Sequence, residues 1–307
     1  MTVKEQILEI FERDRGTVYS GGELALRLGV SRNAVWKAVR QLEAEGWQFD
    51  AASGRGYCLR EDSDVLSVQG ITRCLGSAAD GLDIRVYRSI TSTNTVLKEM
   101  AAEGAPEGTV LVAAEQTAGR GRMNRQFYSP SGTGLYLSVL LRPRMKAQEA
   151  LFLTTAAAVA VARTVEEVAG RETGIKWVSD VFLDGRKSCG IGVNVTPPEG
   201  GFPDAIKDIA GAVFTDAAPP TDAKNRIAAG IVAHFMEYYR DLSRRPFFDE
   251  YVRRSVVVGK DVLVLGKDEP RKARALAIDE SCNLRVRYED GSEGLLSSGE
   301  VSIRQLS

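Results

Sequence analysis

The stretch Glu115-Gln-Thr-Ala-Gly-Arg-Gly-Arg-Met-Asn-Arg-Gln-Phe-Tyr-Ser-Pro130 governs the reading of the whole chain. An apolar run, Thr109-Val-Leu-Val-Ala-Ala114, leads into it, and an alternating run, Leu135-Tyr-Leu-Ser-Val-Leu-Leu141, leads out. Both runs predict strands. The connection is far longer than a hairpin needs and carries little apolar surface. Loops of this length inside compact domains are usually functional or disordered. Gly119 and Gly121 let the backbone approach a ligand closely. Arg120, Arg122 and Arg125 set three fixed positive charges against the single negative charge of Glu115, and guanidinium forks suit carboxylate and phosphate oxygens. The pattern predicts a loop that closes on an anionic ligand. It also fits a solvated basic loop, and Gly-x-Gly with arginines does not by itself decide between the two.

A chain of 307 residues, 44% hydrophobic and 26% charged, can hold two or three domains with packed cores. Its net charge of −1 excludes wholesale electrostatic binding of nucleic acid, so any such contact is local. Cys58, Cys74, Cys189 and Cys282 are scattered, with no CxxC and a single histidine. That pattern predicts neither a zinc site nor a disulfide framework and points to a reducing cytoplasm. The charged, amphipathic N-terminus is unlike a signal sequence. The most apolar stretch, residues 150–162, is too short to span a bilayer. A cytoplasmic protein with no membrane span and no resident metal is expected.

Residues 3–13 carry Ile7, Leu8, Ile10 and Phe11 at helical spacing. Ser20-Gly-Gly-Glu23 is a capping box opening a second helix, which Gly29 stops. Ser31 caps a third, in which Val35, Ala38, Val39 and Leu42 share one face while Asn33, Lys37 and Arg40 share the other. Two short helices joined by Leu-Gly-Val-Ser, followed by strands around Ser53-Gly-Arg-Gly56, describe a winged helix-turn-helix. Asn33 and Arg40 are placed to read base edges, and Ser31, Arg32 and Lys37 to meet phosphates. Arg55 at the wing tip is placed for the minor groove. Residues 1–60 hold nine Lys/Arg against eight Asp/Glu. One module therefore offers few phosphate contacts, and tight binding is expected only from a dimer on a palindromic site. Modules of this kind also serve for dimerisation or docking alone.

Residues 60–69 read as a polar linker. Residues 84–87 predict a strand and 94–103 a helix, which places Ser92 and Thr93 at a helix N-terminus, where they either cap the helix or meet a polar ligand. An Ala/Val/Leu-rich helix is expected over 148–169 and a strand over 174–178. A hairpin turning on Asp184-Gly185 follows, with Lys187 near the start of its second strand. A short helical piece is expected at 203–209 and a long helix at 222–242, on which His234 reads as a core or interface residue. Short strands with turns follow from about residue 256. No Ser-His-Asp, Cys-His or metal-ligand constellation is visible. Positive charge and backbone donors suit acyl adenylation, which depends on positioning and charge stabilisation.

Gly119-Arg-Gly-Arg122 with Phe127-Tyr-Ser-Pro130 closely resembles the biotin loop of biotin protein ligases. Ser92-Thr-Asn94, Lys176-Trp177 with Asp180, Arg186-Lys187 with Gly190-Ile191, and Gly192-Val-Asn194 match in the family's order. Through Arg304 the chain resembles the bifunctional members, which are both ligase and biotin operon repressor. The resemblance implies an α+β chain. A winged helix-turn-helix spans 1–62, a mixed-sheet catalytic domain 63–250 and a small SH3-like β-barrel 251–307. It implies biotin, ATP and Mg2+, a biotinyl-5′-AMP intermediate, and transfer to a lysine of a biotin carboxyl carrier protein. Operator DNA and an adenylate-dependent homodimer are the further partners implied. Biotin would be held by Ser92, Thr93, Asn94, Gln116, Arg120, Gly121, Arg122, Lys187 and Gly190. ATP and the adenylate would be held by Arg122, Arg125, Phe127, Lys176 and Asn194, the last toward metal or triphosphate. Lys187, Arg122 and Asp180 are the implied catalytic residues, Asp180 by accepting a proton or orienting the acceptor lysine.

Two departures from the family pattern carry expectations. Val178-Ser179 stand where the family has Pro-Asn before the aspartate, so rigidity and an amide are expected to be lost beside Asp180. Residues 190–194 also fuse two motifs that the family separates by a strand, a loop and another strand. Deleting interior strands would leave backbone groups unpaired, so a segment is expected to be missing from the chain as written. Three alternatives stay open: a lipoate or octanoate ligase, a regulator whose ligase domain only senses, and a ligase whose N-terminal module no longer binds DNA.

Overall fold

The computed structural model describes residues 1–52, 56–121, 127–146, 149–189, 192–215, 218–265, 269–297 and 300–302, without the side chains of 51, 52 and 300. At the N-terminus lie α1 (Val3–Arg13), β1 (Val18–Tyr19), α2 (Gly21–Leu28), α3 (Arg32–Ala44), β2 (Phe49–Ala52) and β3 (Gly56–Leu59). The local signals act as their chemistry dictates. Ser20 and Glu23 close a reciprocal capping box on α2, Gly29 takes a left-handed conformation with φ of 65°, and Ser31 Oγ accepts from Ala34 N at 3.1 Å. Each such cap stabilises by about 1 kcal/mol. Ile7, Phe11, Leu24, Val35, Val39, Leu42 and Trp47 form the core, and the strands pair in the order β1-β3-β2.

The expected linker is only partly a linker. Ser67 Oγ accepts from Gly70 N at 2.9 Å and caps α4 (Val68–Leu75). This helix buries Ile71 and Leu75 against α7 (Ala223–Arg240). Beneath it lies a buried ionic cluster. Arg15 donates to both oxygens of Glu12, at 2.7 and 2.8 Å, and Arg73 Nε donates to Glu12 Oε2 at 3.1 Å. Both arginines also reach Asp222, whose Oδ1 accepts from Asn225 Nδ2 at 2.7 Å. Arg15 further donates to the Ser63 carbonyl at 3.0 Å. The cluster welds the N-terminal module to the central domain.

The central sheet contains β4 (Asp83–Tyr87), β5 (Thr109–Ala113), β6 (Gly134–Val139), β7 (Gly174–Lys176), β8 (Asp180–Leu183), β9 (Arg186–Cys189) and β10 (Gly192–Asn194). Its order is β4-β5-β6-β10-β9-β8-β7, with β4 and β5 parallel and every other pair antiparallel. Helix α5 (Thr93–Ala102) follows β4, and α6 (Ala150–Ala169) packs with α7 over the sheet. The β8–β9 hairpin turns on Asp184 and Gly185 with φ of 47° and 75°, as the Asp-Gly signal demands.

Described residues on both sides of positions 190 and 191 are paired within this sheet. β10 pairs with β6 on one side and meets β9 at Val193 and Cys189 on the other. Residues 209–211 then bridge to Lys187, whose N–H donates to the Ile209 carbonyl at 2.9 Å and whose carbonyl accepts from Gly211 N at 2.8 Å. Val213 and Phe214 donate to the carbonyls of Asn194 and Val195. From Gly192 onward the second of the two fused motifs is thus paired from within the chain. The helix expected at 203–209 is instead a run of turns, with Ile206 and Lys207 both donating to the Pro203 carbonyl. The chain must extend by Ala210 to reach β9, which leaves no room for a regular helix.

After α8 (Phe248–Arg253), strands β11 (Asp261–Leu265), β12 (Arg271–Ile278), β13 (Leu284–Tyr288), β14 (Glu293–Leu296) and β15 (Glu300–Ser302) form an antiparallel sheet. Its order is β14-β13-β12-β11-β15. Among the described residues no pairing joins β14 to β15, so the strands form an SH3-like sheet rather than a closed barrel. Ala275, Leu284 and Val286 join the same buried cluster as Val159, Trp177 and Val193 of the central domain. No helix among the described residues is long and apolar enough to cross a membrane. The four cysteines are free thiols.

Candidate active site

The loop between β5 and β6 stands on a zipped stem. Gln116 N donates to the Ser129 carbonyl at 3.1 Å and Phe127 N to the Gly119 carbonyl at 2.9 Å. Thr117 and Ala118 donate to the carbonyls of Ile90 and Thr91. The stem corrects the role of Gly119: a Cβ there would lie 2.5 Å from Ser129 Oγ and 2.6 Å from the Phe127 carbonyl. The glycine is demanded by the loop's own closure rather than by a ligand. Arg120 and Gly121 stand at the mouth of a cleft of about 990 Å³. Arg122, Arg125 and Gly190 lie outside the described residues, as does Arg55 at the wing tip.

Part of the cleft lining forms a polar cradle. Thr93 donates to Gln116 Oε1 through its N–H, at 2.9 Å, and through its hydroxyl, at 3.1 Å. Gln116 Nε2 donates to Ser129 Oγ at 3.2 Å. Ser138 Oγ lies 2.9 Å from Thr93 Oγ1 and 3.0 Å from Asn94 Oδ1. Ser92 occupies the N-cap position of α5 but makes no side-chain cap bond. Its hydroxyl is buried and has no hydrogen-bond partner. Simple capping, one of the two readings of Ser92, therefore fails. A buried, unpaired hydroxyl costs roughly 1–3 kcal/mol. Replacing Ser92 by alanine is accordingly expected to raise the thermal midpoint of the ligand-free protein while weakening biotin binding in calorimetry. Unchanged biotin affinity would show that this hydroxyl awaits no ligand.

A second group of residues is cationic. Lys187 Nζ lies 2.6 Å from Asp180 Oδ1, and Lys176 Nζ lies 3.7 Å from Asp180 Oδ2. β7, β8 and β9 bring the three together: Lys176 and Asp180 are register partners, and Lys187 faces Phe182. Asn194 borders the cleft with one Nδ2 hydrogen committed to the Gly211 carbonyl at 2.9 Å. Phe127 stacks edge-on with Tyr136 at 6.2 Å and covers Gly192, where a Cβ would meet its ring at 2.9 Å. Burial pushes the Tyr136 phenol up to about 12, so it stays a neutral donor, here to the Pro130 carbonyl at 3.3 Å. His234 is remote from the cleft and bonds Glu167 at 2.8 Å between α7 and α6.

The loss of rigidity expected at Val178-Ser179 is offset by distant groups. Tyr251 of α8 donates to the Val178 carbonyl at 2.8 Å, and Trp177 Nε1 donates to the Cys282 carbonyl at 3.0 Å. The C-terminal sheet thus braces the segment leading to Asp180. Ser129, Ser138, Tyr136 and Trp177 also border the cleft, and the sequence reading did not single them out as site residues. Ser129 and Trp177 carried a signal, as parts of Phe127-Tyr-Ser-Pro130 and Lys176-Trp177.

Residues 86–206 match the Biotin/lipoate A/B protein ligase family. Residues 3–58 match an HTH domain and residues 257–304 the biotin protein ligase C-terminal domain. The bifunctional ligase/repressor BirA of Bacillus subtilis is 31% identical over 325 aligned positions, covering 97% of this chain and 98% of the relative. The chain belongs to the BirA family of bifunctional ligase/repressors. BirA of Escherichia coli is 33% identical over 94% of both chains. The alignment to the Bacillus BirA is longer than the 307 residues here, so that relative carries positions this chain lacks. A biotin protein ligase from Aquifex aeolicus, solved in complex with biotin and ATP, superposes with a TM-score of 0.60 at 25% identity. It covers 72% of this chain, which covers 98% of it.

Proposed function

We propose that the chain condenses biotin with ATP, arriving as its magnesium complex, to biotinyl-5′-AMP, and passes the biotinyl group to a lysine of a biotin carboxyl carrier protein. The single observation that carries this reading is the polarity of the cleft. A neutral hydroxyl-and-amide cradle at Thr93, Gln116 and Ser138 lines the same cleft as the Lys187–Asp180 pair. Such a cleft suits a ligand with a neutral ureido head and an anionic tail, and its volume lies in the range of small-molecule sites. In the first step a carboxylate oxygen of biotin attacks the α-phosphorus and pyrophosphate leaves. Lys187 and the loop arginines Arg120 and Arg122 offset the charge gathering there. In the second step the acceptor amine attacks the acyl carbon, AMP departs with the C–O electron pair, and the amine loses a proton. Both oxygens of Asp180 already face lysines, which supports an orienting role over that of proton acceptor. The family pattern assigns Arg125, Phe127, Lys176 and Asn194 to the nucleotide, and Arg120, Gly121 and Gly190 to biotin.

The repressor half rests on residues 1–62, with the catalytic domain at 63–250 and the SH3-like domain at 251–307. The adenylate favours a homodimer, and the dimer presents two reading helices to operator DNA. Mass spectrometry should detect biotinyl-AMP and a singly biotinylated carrier domain when biotin, ATP and the carrier are supplied. Transfer of labelled lipoate or octanoate in place of biotin, or no pyrophosphate release at all, would refute the ligase assignment. A DNA footprint indifferent to biotin plus ATP would refute the coupling.

A further inference from the structure

Helix α3 displays one residue that the DNA-reading assignment leaves unused. At 100° per residue, Asn33, Trp36, Lys37 and Arg40 fall within an arc of about 100°, opposite Val35, Ala38, Val39 and Leu42 in the core. Trp36 is 48% exposed, whereas the other tryptophans, Trp47 and Trp177, are 4% and 2% exposed. A lone exposed apolar side chain carries no message. Trp36 differs because it lies inside the polar reading arc and a guanidinium covers part of it. Arg40 Cζ sits 5.8 Å from its ring centroid while the same guanidinium donates to Glu43 Oε2 at 2.9 Å. Arg32 is likewise turned back, its guanidinium packed over Gly22 of α2. In the free protein two of the cations on or beside the reading face are thus held by the module itself, and a half-exposed indole stands among them in the arc.

The charge balance sharpens the point. With nine cationic and eight anionic side chains in residues 1–60, counterion release gives one module little affinity. Contacts that do not depend on charge must supply the difference. In the major groove the apolar handle is the C5-methyl of thymine. We propose that Trp36 is a sequence-reading residue, its indole seated against a thymine methyl in each half-site while Arg40 leaves the ring for the DNA. This rests on the DNA-binding reading of the N-terminal module and assigns that module part of its base preference.

The test uses the full chain with biotin and ATP. A duplex is first selected by the wild-type protein from a randomised pool, and a second version carries deoxyuracil for each thymine in the half-sites. Trp36→Ala should bind the selected duplex at least about tenfold more weakly, the scale of one base contact, with an unchanged slope of log K against log salt. Lys37→Ala should instead flatten that slope by about one phosphate contact. Uracil should weaken the wild type and Trp36→Phe but cost Trp36→Ala nothing further. Biotinylation of the carrier should be the same in all four proteins. As Trp36 is the exposed tryptophan, iodide quenching of wild-type fluorescence should fall when the selected duplex is added. Wild-type affinity in Trp36→Ala, an equal uracil penalty in wild type and Trp36→Ala, or a flattened salt slope in Trp36→Ala would each overturn the proposal. Failure of the wild type to select any duplex would instead remove the DNA-binding reading beneath it.

Discussion

Replacing Lys187 by methionine is expected to slow biotin- and ATP-dependent pyrophosphate release by about 10²–10³-fold, the effect of removing one preorganised donor from a charge-building transition state. Methionine keeps the unbranched stem and deletes only the charge. The ammonium is 37% exposed and paired with Asp180, and surface pairs of this kind contribute little to stability. The thermal midpoint should therefore hold while turnover falls. Asp180→Asn separates the roles of the pair: if Asp180 only orients the lysine, turnover falls part of the way, and its pH profile keeps the wild-type shape. Lys187→Arg should not rescue, because a planar fork cannot replace a compact ammonium in a site shaped by β8 and β9. Wild-type pyrophosphate release by Lys187→Met would remove Lys187 from the chemistry.

That Lys187 and Asp180 belong together was legible only through the family pattern. The spacing places a lysine just after a tight turn, where most lysines are solvated. What makes it a site residue is the antiparallel return of β9 beside β8 and the arrival of Lys176 from β7, a relation between strands. By contrast, the start of α2, the end of α2 at Gly29 and the cap of α3 at Ser31 are written within a few residues of each end, and all were readable. The Asp184-Gly185 turn was readable for the same reason.

Features that depend on distant partners were not readable. The unpaired hydroxyl of Ser92 follows from which side of α5 faces the sheet. The bracing of Val178 by Tyr251 and of Trp177 by Cys282 joins residues 73 and 105 positions apart. The return of residues 209–214 to Lys187, Asn194 and Val195 is likewise a pairing that no local signal announces. A polar linker ending near residue 69 was a reasonable expectation from composition, yet Ser67 opens a helix whose apolar side is buried against α7.

The same non-local logic sets the second large effect. Glu12 sits on α1 beside Phe11, and a glutamate at such a position ordinarily points to water, yet it is 1% exposed. It accepts two hydrogen bonds from Arg15 and one from Arg73, and Asp222 balances the remaining charge from across the domain boundary. Two carboxylates and two guanidiniums are neutral together. Removing one carboxylate strands a cation out of water, which costs about 3–5 kcal/mol. Glu12→Ala is therefore expected to lower the unfolding free energy read from urea titration by that amount and to open residues 60–66 to limited proteolysis, because Arg15 loses the partner that aims it at the Ser63 carbonyl. Replacing Glu12 and Arg15 together by methionine removes opposite charges as a pair and should cost far less, as paired buried ions can exchange for apolar side chains at little net loss. A Glu12→Ala protein within 1 kcal/mol of wild type would mean that water reaches the cluster and that the two domains are joined by apolar packing of α4 instead. The double variant then becomes the sharper measurement. If it retains ligase turnover but loses adenylate-dependent DNA binding, the cluster holds the reading helices at the angle a dimer requires. If it retains both, the cluster contributes stability alone.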